Sequence, residues 1–140
     1  MIVYDAEDQI LGRLSSVISK DLLNGEKVFV VNCERAVVVG RLKYTQEKYL
    51  RKIQRGDVKH GPFFPKTPDG IFRRTVRGML PWHKTKGRNA YRNLRVFIGM
   101  PEELKDRELK KIERADATKL KTKYLSLAEI SLSIGGRKRW

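Results

Sequence analysis

The sequence has few of the residues from which metal and catalytic sites are built. Its 140 residues include one cysteine, Cys33, and two histidines, His60 and His83. A single cysteine cannot form a disulfide within the chain, and these three residues do not have the spacing of zinc ligands. We therefore expect no bound metal and no cofactor.

Long apolar runs are also absent. The longest, such as Val28 to Val31 and Ala36 to Val39, are far below the roughly 18 residues that predict a membrane span. The first residues, Met1 to Asp5, lack the basic stretch and the small-residue cleavage site of a secretory signal. We expect a cytoplasmic protein with no membrane partner.

Motifs for nucleotide chemistry are missing as well. No Gly-x-Gly-x-x-Gly follows the first apolar segment, and no loop ends in Gly-Lys-Ser or Gly-Lys-Thr. Cys33 lies in a predicted buried strand, where a thiol usually behaves as a small apolar side chain. His60 and His83 lie in basic sequence flanked by Pro and Gly, which favours contact with phosphates or bases over catalysis. We predict no catalytic residue, no enzyme activity and no small-molecule substrate.

Acidic residues are scarce in the middle of the chain. Residues 41–95 contain sixteen Lys and Arg but only three acids, for a net charge of +13. Residues 1–40 have a net charge of −2 and residues 96–140 a net charge of +4. Like charges at this density repel one another, whereas each Lys or Arg placed on a phosphate releases a condensed counterion. We therefore predict a nucleic-acid surface in residues 41–95.

The residues that we expect to contact nucleic acid are basic, and they lie in the middle segment and in the C-terminal tail. They are Arg41, Lys59, His60, Lys66, Arg73, Arg74, Arg77, His83, Lys84, Lys86, Arg88, Arg92, Arg137, Lys138 and Arg139. Three aromatic residues between them, Phe63, Phe64 and Trp82, could stack on unpaired bases or pack in the core. The sequence leaves both interpretations open for these rings.

The first half of the chain alternates between strand and helix patterns. Ile2 to Asp5 predicts a strand, and the apolar residues from Leu11 to Leu22 recur at helical spacing up to a stop at Asn24-Gly25. Lys27 to Asn32 and Ala36 to Val39 are rich in Val and predict central strands. A basic amphipathic helix should follow, with Leu42, Tyr49, Leu50 and Ile53 on its apolar side and its end at Gly56.

The second half begins with an irregular loop, because Gly and Pro interrupt residues 56–69. We expect a helix that begins after an N-cap at Asp69 and ends at Pro81. Its apolar face should point inward with Ile71, Phe72, Val76 and Met79, and its outward face should carry Arg73, Arg74 and Arg77. Leu94 to Ile98 predicts a strand, and Pro101 a helix start. Ser126 and Glu129 form a capping-box pattern for a short last helix that stops at Gly135-Gly136.

Several of these segments together resemble a known family. Arg77 to Pro81, Lys84 to Arg88 and Leu94 to Pro101 resemble the motif of the universal large-subunit ribosomal protein family numbered thirteen. The resemblance covers roughly residues 1–101 and includes Leu11-Gly12-Arg13-Leu14. Residues 124–136 are similar to the archaeal branch of that family.

The resemblance implies a fold and a function. The fold is an α/β fold with three layers, α/β/α, around a mainly parallel four-stranded sheet, with a basic loop and an extended C-terminal arm. We divide the chain into a core, residues 1–101, which contains the basic segment 41–95, and an arm, residues 102–140, which ends in a short helix. The implied partners are large-subunit ribosomal RNA, bound early in assembly of the subunit, and neighbouring large-subunit proteins. No catalytic residue comes with the resemblance.

Two other functions fit parts of the sequence. The alternation of strands and helices also fits a nucleotide-using enzyme of the doubly wound type. The positive charge alone also fits a DNA-binding regulator, because phosphate contacts do not distinguish DNA from RNA.

Overall fold

The chain begins with a strand, a helix and a second strand, as predicted. The computed structural model describes residues 1–140, and these first elements are β1 (Ile2–Asp5), α1 (Leu11–Leu23) and β2 (Val28–Val31). Leu14 and Ile18, on the apolar side of α1, are completely buried. The helix stops where Gly25 adopts a φ of +88°, a value that glycine reaches without a Cβ clash.

The main sheet has three parallel strands. β4 (Leu94–Val96) pairs with β2, which pairs with β1 on its other side, so that Val28 lies between Ile2 and Leu94. The predicted strand at residues 27–32 is therefore central, as expected, whereas the predicted strand at residues 94–98 is shorter. The predicted sheet of four strands is not observed.

The two faces of this sheet are covered in different ways. One face packs on α1, on α3 (Pro68–Met79) and on α4 (Thr85–Arg92), and its buried side chains join the principal hydrophobic core. The other face carries Phe29, whose ring stacks on Phe97 at 6.2 Å between centroids. A coil and the 3-10 helix Glu102–Leu104 cover that face. The second face lacks the layer of α-helices that a three-layer α/β/α fold requires, and the predicted helix after Pro101 is this single 3-10 turn.

The fourth predicted strand lies outside the main sheet. β3 (Val37–Val39) pairs antiparallel with β5 (Tyr124–Ser126), and Val39 is 42% exposed. Asn32 has a left-handed φ of +55°, and the 3-10 helix Cys33–Arg35 then carries the chain away from β2. Cys33 is fully buried as predicted, but it lies in this 3-10 helix and not in a strand.

The middle helices agree with the predictions except at their ends. α2 (Leu42–Gln54) buries Tyr49, whereas Leu42 is exposed. α3 begins at Pro68 with Thr67 as its N-cap, so that Asp69 lies in the first turn and is not the cap. Met79 is 42% exposed, in contrast to its predicted inward position. The chain leaves the helix at that point, and Leu80 enters the core instead.

Residues 102–140 lie along the core. Leu127 and Ile130 of α5 (Leu127–Ser133) are buried in the principal core, and α5 contacts both α2 and α3. The predicted capping box is confirmed, because the Ser126 hydroxyl accepts from the Glu129 backbone amide and the Glu129 carboxylate accepts from the Ser126 amide. The C-terminal segment therefore wraps the core and does not extend away from it as the predicted arm would.

Candidate nucleic-acid interface

The basic residues of the middle segment have no acidic partners within the chain. The structure contains six ion pairs, and none of them involves any of the sixteen Lys and Arg of residues 41–95. The only pair in that segment joins His60 Nδ1 to Asp57 Oδ2 at 3.0 Å. The net charge of +13 on these residues is therefore not neutralised by the protein itself.

The three arginines of α3 lie against aromatic rings. The guanidinium carbon of Arg77 is 4.4 Å from the centre of the Trp82 ring, and that of Arg73 is 4.9 Å from the centre of the Tyr91 ring. Arg74 is 5.9 Å from the Phe64 ring. Such cation–π contacts hold a guanidinium in place and leave its N–H groups free to donate to phosphate. All three arginines are half-buried.

The rings themselves are held together. The Trp82 and Tyr91 rings meet edge to face at 5.2 Å. Arg74 Nη2 donates to the Phe63 carbonyl at 2.9 Å, so that the loop before α3 is attached to the helix. Trp82 is 36% exposed and Phe63 is 66% exposed, whereas Phe64 is half-buried against Tyr49. Of the three rings that the sequence left open, Phe64 therefore packs on the core, and Phe63 and Trp82 keep an exposed surface.

α4 carries a cluster of exposed cations. Lys84 precedes the helix as its N-cap, and Lys86, Arg88 and Arg92 are exposed along it. Arg88 Nε donates to the Trp82 carbonyl at 3.1 Å, which ties the helix to the turn before it. Gly87 allows the backbone of α4 to approach this turn closely, because a Cβ at residue 87 would lie 2.2 Å from the Pro81 carbonyl oxygen.

The remaining predicted residues of the middle segment lie in four other places. Lys59 and His60 are exposed in the loop after α2, and His83 is exposed in the turn before α4. The hydrogen bond from His60 lowers the pKa of the Asp57 carboxyl, which also accepts from the Lys59 amide in the same loop. Arg41 is exposed at the start of α2, and the exposed Lys66 lies beside the C-terminal Gly136.

Arg139, near the end of the C-terminal tail, lies in a separate groove. Arg137, Lys138 and Arg139 are exposed, but Arg139 lines a groove of about 620 Å³ at the carboxyl ends of the parallel strands. Glu7, Asp8 and Glu34 line the same groove. In a doubly wound enzyme this edge of the sheet holds the nucleotide. Here Arg35 also lines the groove and pairs with Glu7 and Glu34, so its guanidinium is already engaged with carboxylates and not presented to a phosphate. This argues against the enzyme interpretation.

The comparisons with known proteins agree with this picture. The family model described as "Ribosomal protein L13" matches residues 1–103. The chain belongs to the ribosomal protein L13 family. Membership in the L13 family confirms the family predicted from the sequence and makes the chain a ribosomal protein and not an enzyme.

Relatives in the L13 family are similar over nearly the whole chain. The "Large ribosomal subunit protein uL13" of Archaeoglobus fulgidus is 56% identical over 96% of this chain and 88% of its own length. The proteins of that name from Methanopyrus kandleri and Haloarcula marismortui are 45% and 41% identical, over 95% and 99% of this chain and 86% and 94% of their own lengths. These organisms are archaea, which confirms the predicted archaeal branch.

Other features give no sign of catalytic or metal chemistry in this L13-family chain. Burial raises the pKa of the Cys33 thiol strongly, with Glu34 and Asp69 adding to the effect, so the reactive thiolate is disfavoured. No group of His, Cys, Asp and Glu residues is arranged to hold a metal ion. None of the helices is both long and apolar enough to span a membrane.

Sequence reasoning missed part of the interface. α4 was not predicted as a helix, because the side that it buries carries only small residues, Gly87 and Ala90, and so gives almost no apolar period. The spacing of these two residues, three apart and followed by the apolar Leu94, was the available signal. Lys52, which lies over the rings of Tyr49 and Phe64, was not among the predicted contact residues either.

Proposed function

We propose that this protein is a structural constituent of the large ribosomal subunit that binds and stabilises large-subunit ribosomal RNA through residues 41–95. One observation carries the proposal: sixteen Lys and Arg side chains crowd one segment, and none is paired with an acid of the chain. Such a concentration of like charge repels itself, and contact with a polyanion relieves that repulsion and releases condensed counterions. The family and the relatives' name, "Large ribosomal subunit protein uL13", favour ribosomal RNA as that polyanion.

The predicted contact residues have different tasks in this proposal. Lys84, Lys86, Arg88 and Arg92 on α4 bind phosphates, and the stacked arginines of α3 donate to phosphates from fixed positions. Phosphate contacts set position without reading sequence. Specificity then comes from the shape of the folded RNA and from loop residues such as His60 and His83.

A competition experiment tests the proposed partner. The full chain is bound to large-subunit ribosomal RNA, and duplex DNA or small-subunit ribosomal RNA is added at matched salt. We expect large-subunit RNA to bind at least tenfold more tightly than either competitor. Equal or tighter binding of the duplex would contradict the proposal and favour the DNA-binding alternative, which rests on charge alone.

We also propose that binding occurs early in subunit assembly and precedes contact with neighbouring large-subunit proteins. The unpaired cations support this order, because binding that uses RNA phosphates alone needs no other protein in place. An order-of-addition reconstitution tests it: the chain, added to bare large-subunit RNA, should be retained through a moderate salt wash. Retention only after other proteins have been added would contradict early binding.

A further inference from the structure

A second basic groove lies outside the middle segment. It has a volume of about 500 Å³ and runs between α1 and residues 112–114. Three cations line it, Arg13 and Lys20 from α1 and Arg114 from the opposite wall, and no acidic residue does. Its remaining lining residues are Ser16, Val17 and Ile112.

The walls of this groove are fixed by hydrogen bonds. Arg13 Nη1 donates to the Arg114 carbonyl at 2.9 Å and so joins the two sides. The Ile112 amide donates to the Gln9 side-chain oxygen at 3.0 Å, and the Ile10 amide donates to the Ala115 carbonyl at 2.6 Å. Gln9, which holds residues 112–114 in place, is only 2% exposed. The wall opposite α1 is therefore attached to the buried core.

The cations of the groove are free to bind an anion, because Arg13, Lys20 and Arg114 form no ion pair in the structure. Two acids adjacent to them in the sequence are engaged elsewhere. Asp21 accepts a hydrogen bond from the Tyr4 hydroxyl, and Glu113 pairs with Lys119 at 3.3 Å.

Helix α1 lies next to both this groove and the cations of α4. α1 packs against α4 and also against the 3-10 helix Glu113–Ala115, which forms part of the groove wall. α1, which carries Arg13 and Lys20, therefore connects the helix that carries Lys86, Arg88 and Arg92 to the turn that carries Arg114.

We infer that this groove is a second binding site, which takes the sugar–phosphate backbone of large-subunit ribosomal RNA. The inference rests on the proposed function and adds a contact that residues 41–95 do not supply. Three cations bind the phosphates, and the apolar side chains of Val17 and Ile112 pack against the sugars. The net charge along the sequence does not indicate this site, because Arg13 and Lys20 lie in residues 1–40, whose net charge is −2.

Directed cleavage tests the inference. An iron–EDTA group is attached to the full-length Ser16→Cys variant, and the complex with large-subunit ribosomal RNA is probed for strand scission. Cys33 does not interfere, since it is fully buried and its thiol pKa is raised. A matched Asn89→Cys variant places the same probe on the exposed face of α4.

The two probes separate failure of the inference from failure of the proposed function. We expect RNA cleavage from both positions, at different sites. Cleavage from residue 89 but not from residue 16 would overturn the groove site and leave the proposed function intact. No cleavage from either position would contradict both. A third outcome is also possible: the Ser16→Cys variant gives no RNA cleavage, and its thiol at residue 16 becomes protected from chemical labelling only when other subunit proteins are added. The groove would then bind an acidic protein segment, and the inference would be wrong.

A charge-neutralising variant gives a second readout. Lys20→Gln combined with Arg114→Gln should flatten the salt dependence of RNA binding by about 0.7 to 0.9 in log–log slope for each phosphate that the variant no longer neutralises. Lys119→Gln removes a cation that already pairs with Glu113 and is the control. A double variant whose slope equals that of the wild type would overturn the inference.

Discussion

The guanidinium of Arg77 lies over the indole of Trp82, with 4.4 Å between the guanidinium carbon and the ring centre. Arg77 lies in the last turn of α3, whereas Trp82 belongs to the turn that follows the helix, so one contact fixes both the arginine and the turn. The Tyr91 ring contacts the Trp82 ring, and the guanidinium of Arg73 lies over the Tyr91 ring in the same way. Two arginines of one helix are thus oriented by two rings that also contact each other.

Removal of the indole should therefore weaken RNA binding without removing a charge. We expect Trp82→Leu to lower the affinity for large-subunit ribosomal RNA about two- to fivefold, since an exposed cation–π contact contributes roughly 0.5–1 kcal/mol. Trp82→Phe keeps a ring and should have a smaller effect. The measurement is a filter-binding titration at constant salt. Equal affinities for the Leu and Phe variants would show that the ring does not orient Arg77.

Gly87 should be intolerant of a methyl group. In Gly87→Ala the new Cβ would lie 2.2 Å from the Pro81 carbonyl oxygen, so α4 must move away from the turn that contains Trp82. We expect the free energy of unfolding to fall by about 1–3 kcal/mol, as for other overpacked sites. Urea unfolding monitored by circular dichroism measures it.

The control for this variant is a glycine in open space. Gly78 lies within α3, and a Cβ there would meet nothing within 4 Å. Gly78→Ala should leave stability unchanged or raise it by about 0.5–1 kcal/mol, because alanine is the better helix former. Similar destabilisation in both variants would contradict the role of the contact between Gly87 and Pro81.

Stability should fall in alkaline solution. Burial, with help from Glu34 and Asp69, raises the pKa of Cys33 in the folded chain above its unfolded value of about 8.5. Below the unfolded pKa both states keep the proton. Above it the unfolded chain releases the proton while the folded chain retains it, so the folded state is progressively disfavoured. Burial and the Asp21 carboxylate raise the pKa of Tyr4 and act in the same direction at higher pH.

The urea midpoint at pH 7 and at pH 9.5 measures this effect. The wild type should be less stable at the higher pH, and the difference should be smaller for Cys33→Ala. A wild-type midpoint that is constant over this range would contradict the shifted pKa of Cys33. The native chain at pH 8 should also resist iodoacetamide, whereas the chain in urea should react.

The parts of the fold that could be predicted from the sequence depend on local patterns. The buried face of α1 repeats at helical spacing, and the Ser126–Glu129 capping box lies within four residues. The partner of β3 could not be predicted in this way, because Val37 pairs with Ser126 and no local signal specifies a contact over that separation. The prediction of a helical layer on the second sheet face was wrong for the same reason: coil residues such as Phe97 cover that face, and no local pattern predicts this contact.

The candidate interface was predictable in its charge and not in its geometry. Residues such as Lys86 and Arg92 must be exposed because burial of an unpaired charge is costly, so composition alone indicates a basic surface. The stacking of Arg73, Arg74 and Arg77 could not be predicted, because their rings come from three separate segments of the chain. A count of charge along the sequence also cannot find cations that meet only in space, such as Lys20 and Arg114.

The central claim is that the unpaired cations of residues 41–95 are neutralised by ribosomal RNA phosphates. The most direct test measures the slope of log affinity against log salt for large-subunit RNA, in the wild type and in a variant with Lys84, Lys86, Arg88 and Arg92 changed to Gln. A control with the same reduction in charge changes Lys27, Lys105, Lys111 and Lys119 to Gln. We predict that the α4 variant flattens the slope by about 0.7 to 0.9 for each phosphate left without its cation, while the control changes it much less. Equal slopes for the wild type and the α4 variant would contradict the claim.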